Sequence, residues 1–230
     1  MKLICVIVIL ILVGIYYILF NRKLYHSNII IKGNEQINAN KLMIVAHPDD
    51  ELIFAGKELL KEKGWKVICV TNGSSKSENK FSFTVSPGTR KKEFIDVMNM
   101  LGCQYEMWDY EDNGFNANWD ELSLLDKLRN AINENEYKII LTHNLNGEYG
   151  HVQHKKISEL IHLLKPKNFY VFGYSETKNL NSTQSNSLDP NIIEINKLLS
   201  LYKSQRNTIN KHYTYINNQT ICKVDFLTPQ

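Results

Sequence analysis

Apolar residues fall along this chain in two alternating patterns. Short continuous runs at 42–46 (LMIVA), 66–71 (KVICVT), 105–110 (YEMWDY), 137–142 (YKIILT) and 169–174 (FYVFGY) predict strands. Between them, stretches with helical spacing predict helices over about 51–63, 89–101, 119–134 and 151–164, with a last helix over about 191–203. This alternation is that of an α/β domain built on a mostly parallel sheet and beginning near Lys41. Two polar stretches break the rhythm. NGSSKSENKFSFTVSPG lies between Thr71 and Thr89, and ETKNLNSTQSNSLDPN spans 176–191. A long loop without helical period in a compact domain is usually functional or mobile.

The chain opens differently. From Leu3 to Phe20 there are 18 residues without a charge, about 27 Å of helix and close to the thickness of a bilayer's hydrocarbon core. Tyr16, Tyr17 and Phe20 lead into Asn21-Arg22-Lys23, where a cleavable signal would carry small residues. The segment therefore predicts one uncleaved transmembrane helix within residues 1–23. Arg22, Lys23 and Lys32 outweigh Lys2 and the amino terminus, which favours a cytosolic catalytic domain. Residues 24–40 read as a linker in which Ile29-Ile30-Ile31 offers an edge strand, and residues 41–230 as the folded domain.

Composition narrows the possibilities. The 230 residues suffice for one well-packed domain. With 27 basic against 24 acidic residues and no basic face interleaved with aromatics, nucleic acid is not an expected partner. Cys5, Cys69, Cys103 and Cys222 stand far apart and suggest neither a disulfide framework nor a thiolate zinc site.

The chemistry collects at two predicted strand ends. The first strand stops in His47-Pro48-Asp49-Asp50-Glu51, where Pro48 ends the ladder and the acids suit a helix start. Ligands bind at the carboxyl ends of strands in an open parallel sheet. An imidazole beside adjacent carboxylates can divide the work of a hydrolytic metal site, one carboxylate ligating and its neighbour activating water. A further ligand is expected from His151 or His154, which follow the strand ending at Thr142 and project from one helix face at i and i+3. Gly147 and Gly150 let the preceding backbone turn tightly. Two His and one Asp with open positions suit Zn2+, and the same set would suit Fe2+ or another divalent ion. His143 reads as a supporting residue, whereas His26, His162 and His212 fall in no motif.

At these residues the sequence resembles the N-acetylglucosaminylphosphatidylinositol de-N-acetylase family, the PIG-L/LmbE-like superfamily. The resemblance runs over about residues 41–206. It rests on Ala46 to Glu51, Gly88-Thr89-Arg90-Lys91-Lys92-Glu93, Asp112-Asn113-Gly114-Phe115, Thr142-His143-Asn144, Gly147 through His154, and Tyr202-Lys203-Ser204-Gln205. It implies a Rossmann-like three-layer fold and zinc-dependent removal of acetyl from an N-acetylglucosaminyl conjugate. Carried over by position, His47, Asp50 and His154 would hold the metal and Asp49 would be the general base. His151 would stabilise the tetrahedral intermediate or protonate the departing amine, and Tyr149 would polarise the amide carbonyl. Arg90 would meet the polar aglycone or its phosphate, and Asp112 the sugar hydroxyls.

With the anchor, the resemblance points to a lipid-linked substrate and a single-pass protein, in the endoplasmic reticulum membrane if the source is eukaryotic. The alternatives are deacetylation of another N-acetylglucosaminyl conjugate or glycan intermediate, and a catalytically silent sugar-binding membrane protein.

Overall fold

The computed structural model describes residues 6–16, 30–73, 88–112, 116–174 and 189–226. Residues 6–16 are helical (α1). Strand β1 (Ile31–Gly33) and strand β2 (Lys41–Val45) precede α2 (Asp50–Lys61), β3 (Trp65–Thr71), α3 (Thr89–Leu101), β4 (Gln104–Tyr110) and α4 (Glu121–Asn133). Then come β5 (Ile139–Thr142), α5 (Gly147–Gly150), α6 (Val152–Leu164), β6 (Phe169–Tyr174) and α7 (Pro190–Leu199). A 3-10 turn at Lys203–Gln205, α8 (Arg206–Lys211), α9 (Tyr213–Asn217) and β7 (Gln219–Lys223) complete the order.

The seven strands form one sheet in the order β1-β4-β3-β2-β5-β6-β7. The five central strands are parallel, while β1 pairs antiparallel with β4 and β7 antiparallel with β6. Along β2, Met43 and Val45 enter one core with Phe54 and Leu59 of α2, Phe94 of α3 and Ile195 of α7. Leu42 and Ile44 enter the opposite core with Leu124 and Leu128 of α4 and Ile157 and Ile161 of α6. A strand covered on both faces must be apolar at every position, so these strands read as runs rather than as alternations. Successive strands step away from β2 through β3 and β4, and the chain then returns to add β5 on its other side. That reversal places a crevice at the carboxyl ends of β2 and β5.

The α/β class is as expected, with antiparallel strands added at both edges. The anchor is not supported by the described residues: α1 spans only residues 6–16 there, and no described helix is long and apolar enough to cross a membrane. Residues 1–5 and 17–29, which complete the expected span and include the first six residues of the linker, lie outside the described residues, as do both polar stretches over most of their length. Ile31 does supply an edge strand, paired with Met107.

The C-terminal part departs most from expectation. The last predicted helix ends at Leu199 instead of about 203, and β7 was not foreseen. An edge strand that is half exposed, like Gln219–Lys223, lacks the continuous apolar signal of the buried strands. This strand has a task inside the molecule. Ala55 breaks the regular geometry of α2, with φ −144° and ψ 22°. The buried side chain of Gln219 fills the gap: its Nε2 donates to the carbonyls of Leu52 (2.6 Å) and Ile53 (2.8 Å), and its Oε1 accepts from the Lys57 N–H (2.9 Å). Backbone groups freed by a kink cost free energy unless something pairs them.

A buried ion cluster ties β3 to its neighbours. Lys66 is 1% exposed and its Nζ lies 2.7 Å from Glu106 Oε1 on β4, with Glu134 after α4 as a second partner. Trp108 Nε1 donates to Glu106 Oε2 at 3.0 Å, and Lys32 of β1 approaches the other oxygen at 3.0 Å.

Candidate metal centre and active site

The turn after β2 folds tightly on itself. The Asp50 N–H donates to the His47 carbonyl at 3.3 Å, and Asp50 Oδ2 accepts from the His47 backbone N–H at 2.8 Å. Asp49 stands at the start of α2 with φ 109°, a conformation that non-glycine residues adopt at a cost. Its neighbour in strain is Glu148, at φ 57° and ψ −72°, between Gly147 (φ +63°) and Gly150 (φ +94°) in the turn after β5. The two strained turns face each other across the crevice.

Three ligand atoms converge there. His47 Nδ1 lies 3.1 Å from His154 Nε2, and Asp50 Oδ2 lies 3.2 Å from the first and 3.3 Å from the second. Ligands about 2.0–2.1 Å from a tetrahedral metal are separated by about 3.3–3.4 Å, so this triangle matches one face of such a site.

The outer nitrogens settle which ring atoms are available. His154 Nδ1 donates to Glu148 Oε2 at 2.7 Å; burial would lower this ring, but Asp50 and Glu148 raise it to about 10, so Nε2 offers its lone pair once a metal ion takes the place of its proton. His47 Nε2 donates to Gln153 Oε1 at 2.6 Å, leaving Nδ1. Gln153 is oriented in turn, because its Nε2 donates to the carbonyls of Glu111 (3.1 Å) and Asn116 (2.9 Å). Histidines that bind metals characteristically have the second nitrogen held in this way.

His143 also lies close, and Asp50, His143 and His154 form a second conceivable trio. Its nitrogens are already committed: Nε2 accepts from the Ala46 N–H at 2.9 Å and Nδ1 donates to Glu148 Oε2 at 2.9 Å. His143 is a strut, as its sequence context suggested. His151 also offers a ring nitrogen near those of His47 and His154, and the mutual distances of His47 Nδ1, Asp50 Oδ2 and His154 Nε2 fit a divalent metal ion with open coordination positions.

Charge follows the geometry. Burial alone would raise the Asp50 carboxyl, but His154 and His47 hold it well below the usual carboxylate range. Burial likewise opposes ionisation of Glu148, and His143 and His154 overcome it, drawing the carboxyl down to about 2. Asp49 goes the other way: burial pushes its carboxyl well up, Arg90 opposes this, and Asp50 and Glu51 add to it. Asp49 Oδ2 is buried with no partner among the described residues, while Oδ1 lies 4.0 Å from Arg90 Nη2. Burial, with His47 and His154 adding to it, takes His151 down to about 3, so its ring is neutral. Its Nδ1 accepts from the Gln153 backbone N–H at 3.3 Å, which makes Nε2 the hydrogen-bond donor.

With this arrangement in view, the family comparison is decisive: the family model PIG-L: GlcNAc-PI de-N-acetylase matches residues 42–164. The chain belongs to the PIG-L family. It is accordingly a hydrolase of the deacetylase type. A relative in Acanthamoeba polyphaga mimivirus, Uncharacterized protein L374, is 51% identical over 207 residues and covers 88% of each chain. Among solved structures, the fold is similar to that of N,N'-diacetylchitobiose deacetylase from Pyrococcus horikoshii (TM-score 0.54, 14% identity, 88% of this chain and 84% of that one). It is also similar to that of the conserved protein TT1542 from Thermus thermophilus (TM-score 0.53, 16% identity, 82% and 97%). At such identities these two bear on fold alone.

The PIG-L pocket at the crevice holds about 140 Å³ and is lined by every site residue named from the sequence except His154, which sits fully buried behind it. Arg90 points inward: its Nη1 pairs with Asp112 and its Nη2 donates to the Pro48 carbonyl at 3.2 Å. Asp112 Oδ1 stands 3.7 Å from His47 Nε2. Both line the pocket, as the sequence reading expected of site residues, and their nearest partners are each other and the turn after β2. Asn113, Gly114 and Phe115, which follow Asp112 in the family motif, lie outside the described residues.

Tyr149 is half exposed and stacks on His212, with ring centroids 4.4 Å apart. His212 and Thr208 are pocket residues that sequence reasoning did not assign to the site, and Gln205, noted only as the end of the late motif, joins them. They arrive from α8 and its flanks, far along the chain, and only Gln205 lay in a recognised motif. Gln153 was missed as well, although it stands between the two histidines of the motif.

Proposed function

We propose that this protein is a zinc-dependent amidohydrolase that removes the N-acetyl group from N-acetylglucosaminylphosphatidylinositol, releasing acetate. The observation that carries the reading is the triangle of His47 Nδ1, Asp50 Oδ2 and His154 Nε2 with Asp49 beside it in a pocket of acetamido dimensions. A divalent metal held by this triangle supplies Lewis acidity toward the amide oxygen and lowers the pKa of water.

The chain's own residues do the rest. Asp49, with a carboxyl raised by burial and one oxygen unengaged, accepts a proton from the attacking water. The water oxygen bonds to the acyl carbon, and negative charge grows on the former carbonyl oxygen. His151 offers its Nε2–H to that oxygen, and Tyr149, which also lines the pocket, its hydroxyl. The C–N bond then breaks as the amine takes up the proton from Asp49, and acetate and the free glucosaminyl amine leave. Arg90 and Asp112, paired at the pocket wall, orient the sugar and whatever follows it.

The lipid assignment draws on the apolar N-terminal segment, whose described residues from Val6 to Tyr16 are apolar and, apart from Gly14, exposed. We take this segment to hold the protein at a membrane, with the catalytic domain on the cytosolic side. A second reading keeps the reaction and changes the substrate to another N-acetylglucosaminyl conjugate; it is favoured by the small polar pocket, which selects the acetamido group rather than the aglycone.

The test is acetate release by the metal-loaded protein from a lipid-linked and from a soluble N-acetylglucosaminyl compound. Asp49→Asn is expected to lose about 100-fold or more in turnover while binding zinc as the parent does, whereas His154→Ala is expected to lose zinc itself. Turnover of Asp49→Asn at the parent rate would refute the base assignment. Release from the soluble sugar alone would refute the lipid assignment.

A further inference from the structure

The segment Tyr202–Gln205 lies outside the residues matched by the family model, yet it reaches Glu51 of the turn after β2 and Glu93 of α3. Tyr202 is fully buried, and its hydroxyl donates to Glu51 Oε1 at 2.6 Å across 151 residues of sequence. The other oxygen of Glu51, Oε2, accepts from the backbone N–H of Asp49 at 3.1 Å. Two residues on, the Ser204 N–H donates to Glu93 Oε1 at 2.9 Å and its hydroxyl to Glu93 Oε2, so the segment is fastened to α3 as well. Gln205, donating to Ser204 Oγ at 3.1 Å, ends this run at the pocket wall.

Asp49 needs such support. Its left-handed backbone is disfavoured for an aspartate, and it lacks a side-chain cap bond to α2 that would reward the conformation. An unsupported Asp49 would relax toward ordinary φ, which rotates its carboxyl away from the pocket. The Glu51 carboxylate makes the compensating contact, and Glu51 is fully buried with Tyr202 as the partner that fixes its rotamer.

We propose that Glu51 and Tyr202 are positioning residues: Tyr202 fixes the Glu51 carboxylate, which holds the Asp49 backbone in the conformation that aims its side chain at the reacting water. This rests on Asp49 being the base. It assigns a purpose to the late Tyr-Lys-Ser-Gln motif: the motif couples the end of the chain to the catalytic turn without entering the pocket through Tyr202.

The experiment compares four variants of the full zinc-loaded chain: Tyr202→Phe, Glu51→Leu, Glu51→Gln and Asp49→Asn. Tyr202→Phe removes one buried hydroxyl, and Glu51→Leu removes the acceptor at similar volume. Glu51→Gln keeps an oxygen for the Asp49 N–H and an amide that can donate to the Tyr202 hydroxyl. Two readouts are taken: kcat and KM for acetate release, and amide hydrogen exchange at Asp49 relative to the amides of β2.

Tyr202→Phe and Glu51→Leu are expected to lower kcat by about tenfold to 100-fold, as small misplacements of reacting groups do, with KM and zinc affinity within about twofold. Exchange at Asp49 should rise about tenfold in both while β2 stays protected, and Glu51→Gln should restore both readouts to near the parent. Unchanged exchange at Asp49 in Tyr202→Phe and Glu51→Leu would overturn the proposal whatever the rates do, and so would parent-like kcat in both. Asp49→Asn separates the two levels: if it turns over normally, the base assignment itself is wrong, whereas an inactive Asp49→Asn beside fully active Tyr202→Phe and Glu51→Leu sinks only the positioning role.

Discussion

The two histidines of the candidate metal triangle, His47 and His154, are fixed less by their own positions than by what holds their far nitrogens. Gln153 Oε1 accepts from the His47 ring, and Glu148 Oε2 from the His154 ring as well as from His143, so His47 and His154 each turn their other nitrogen inward. Replacing Gln153 by Leu or Glu148 by Gln leaves all three ligands in place. Each is nevertheless expected to weaken zinc binding about 10–100-fold, read by competition with a chelating dye. Parent affinity in both variants would show that the outer hydrogen bonds do not set the ligating atoms. Sequence reasoning found the residues whose chemistry is visible in a local string: His47, Asp49, Asp50, His151 and His154 all lie in short motifs at strand ends. Gln153 and His212 escaped because nothing local marks them. The roles of both depend on partners a hundred or so residues earlier, or some sixty in the case of His212 and Tyr149, contacts made only by the closed fold.

Elements were legible to the degree that burial made them uniform. Strands β2 and β3, buried at every position, stood out as apolar runs, and α3 and α6 were placed within a residue of their observed ends. Strand β5 begins at Ile139, two residues later than its run suggested, because Tyr137 and Lys138 turn to bond Asn135 and Asn40 instead of joining the ladder. Lys66 is the exception inside β3, a cation at a buried strand position that the pattern alone does not explain until Glu106 and Glu134 are in place.

Lys66→Met should destabilise the protein by about 3 kcal/mol in urea unfolding at neutral pH, because it leaves Glu106 buried with fewer partners. Adding Glu106→Gln should recover part of that loss. The sign with pH follows from Glu106, whose carboxyl stays below the usual range because Lys66, Trp108 and Lys32 outweigh the opposing effect of burial. Its contribution is present above the unfolded glutamate value of about 4.3 and is lost as pH falls through the lower folded value. The gap between parent and Lys66→Met should therefore narrow in acid. A gap that widened would mean that Glu106 is not held by Lys66.

For the molecule as a whole, the C-terminal quarter acts as a fastening rather than an appendage. Family membership rests on residues 42–164, but α2 keeps its kinked shape through Gln219, and the pocket wall is completed from α8. Gln219→Ala should cost about 2–3 kcal/mol, since it strands two carbonyls and one N–H in a buried helix. The same change should lower turnover by loosening the helix that begins at Asp50. Calorimetry and acetate release on one preparation check both, and an unchanged melting temperature would show that water replaces the side chain. This long-range fastening was the least legible part of the fold, because β7 carries a weak apolar signal and its value lies in a single polar side chain.

Gln219 also has a bearing on how the protein comes into being. Chains emerge from the ribosome amino end first, and their early parts begin to fold before the later parts exist. Here the sheet can assemble from β2 to β6 while α2 still lacks Gln219 at its kink and Glu51 still lacks Tyr202. A nascent chain would thus hold His47, Asp50 and His154 together before the contacts from Tyr202 and Gln219 brace the helix beside them, and full turnover would come only once β7 has joined the sheet.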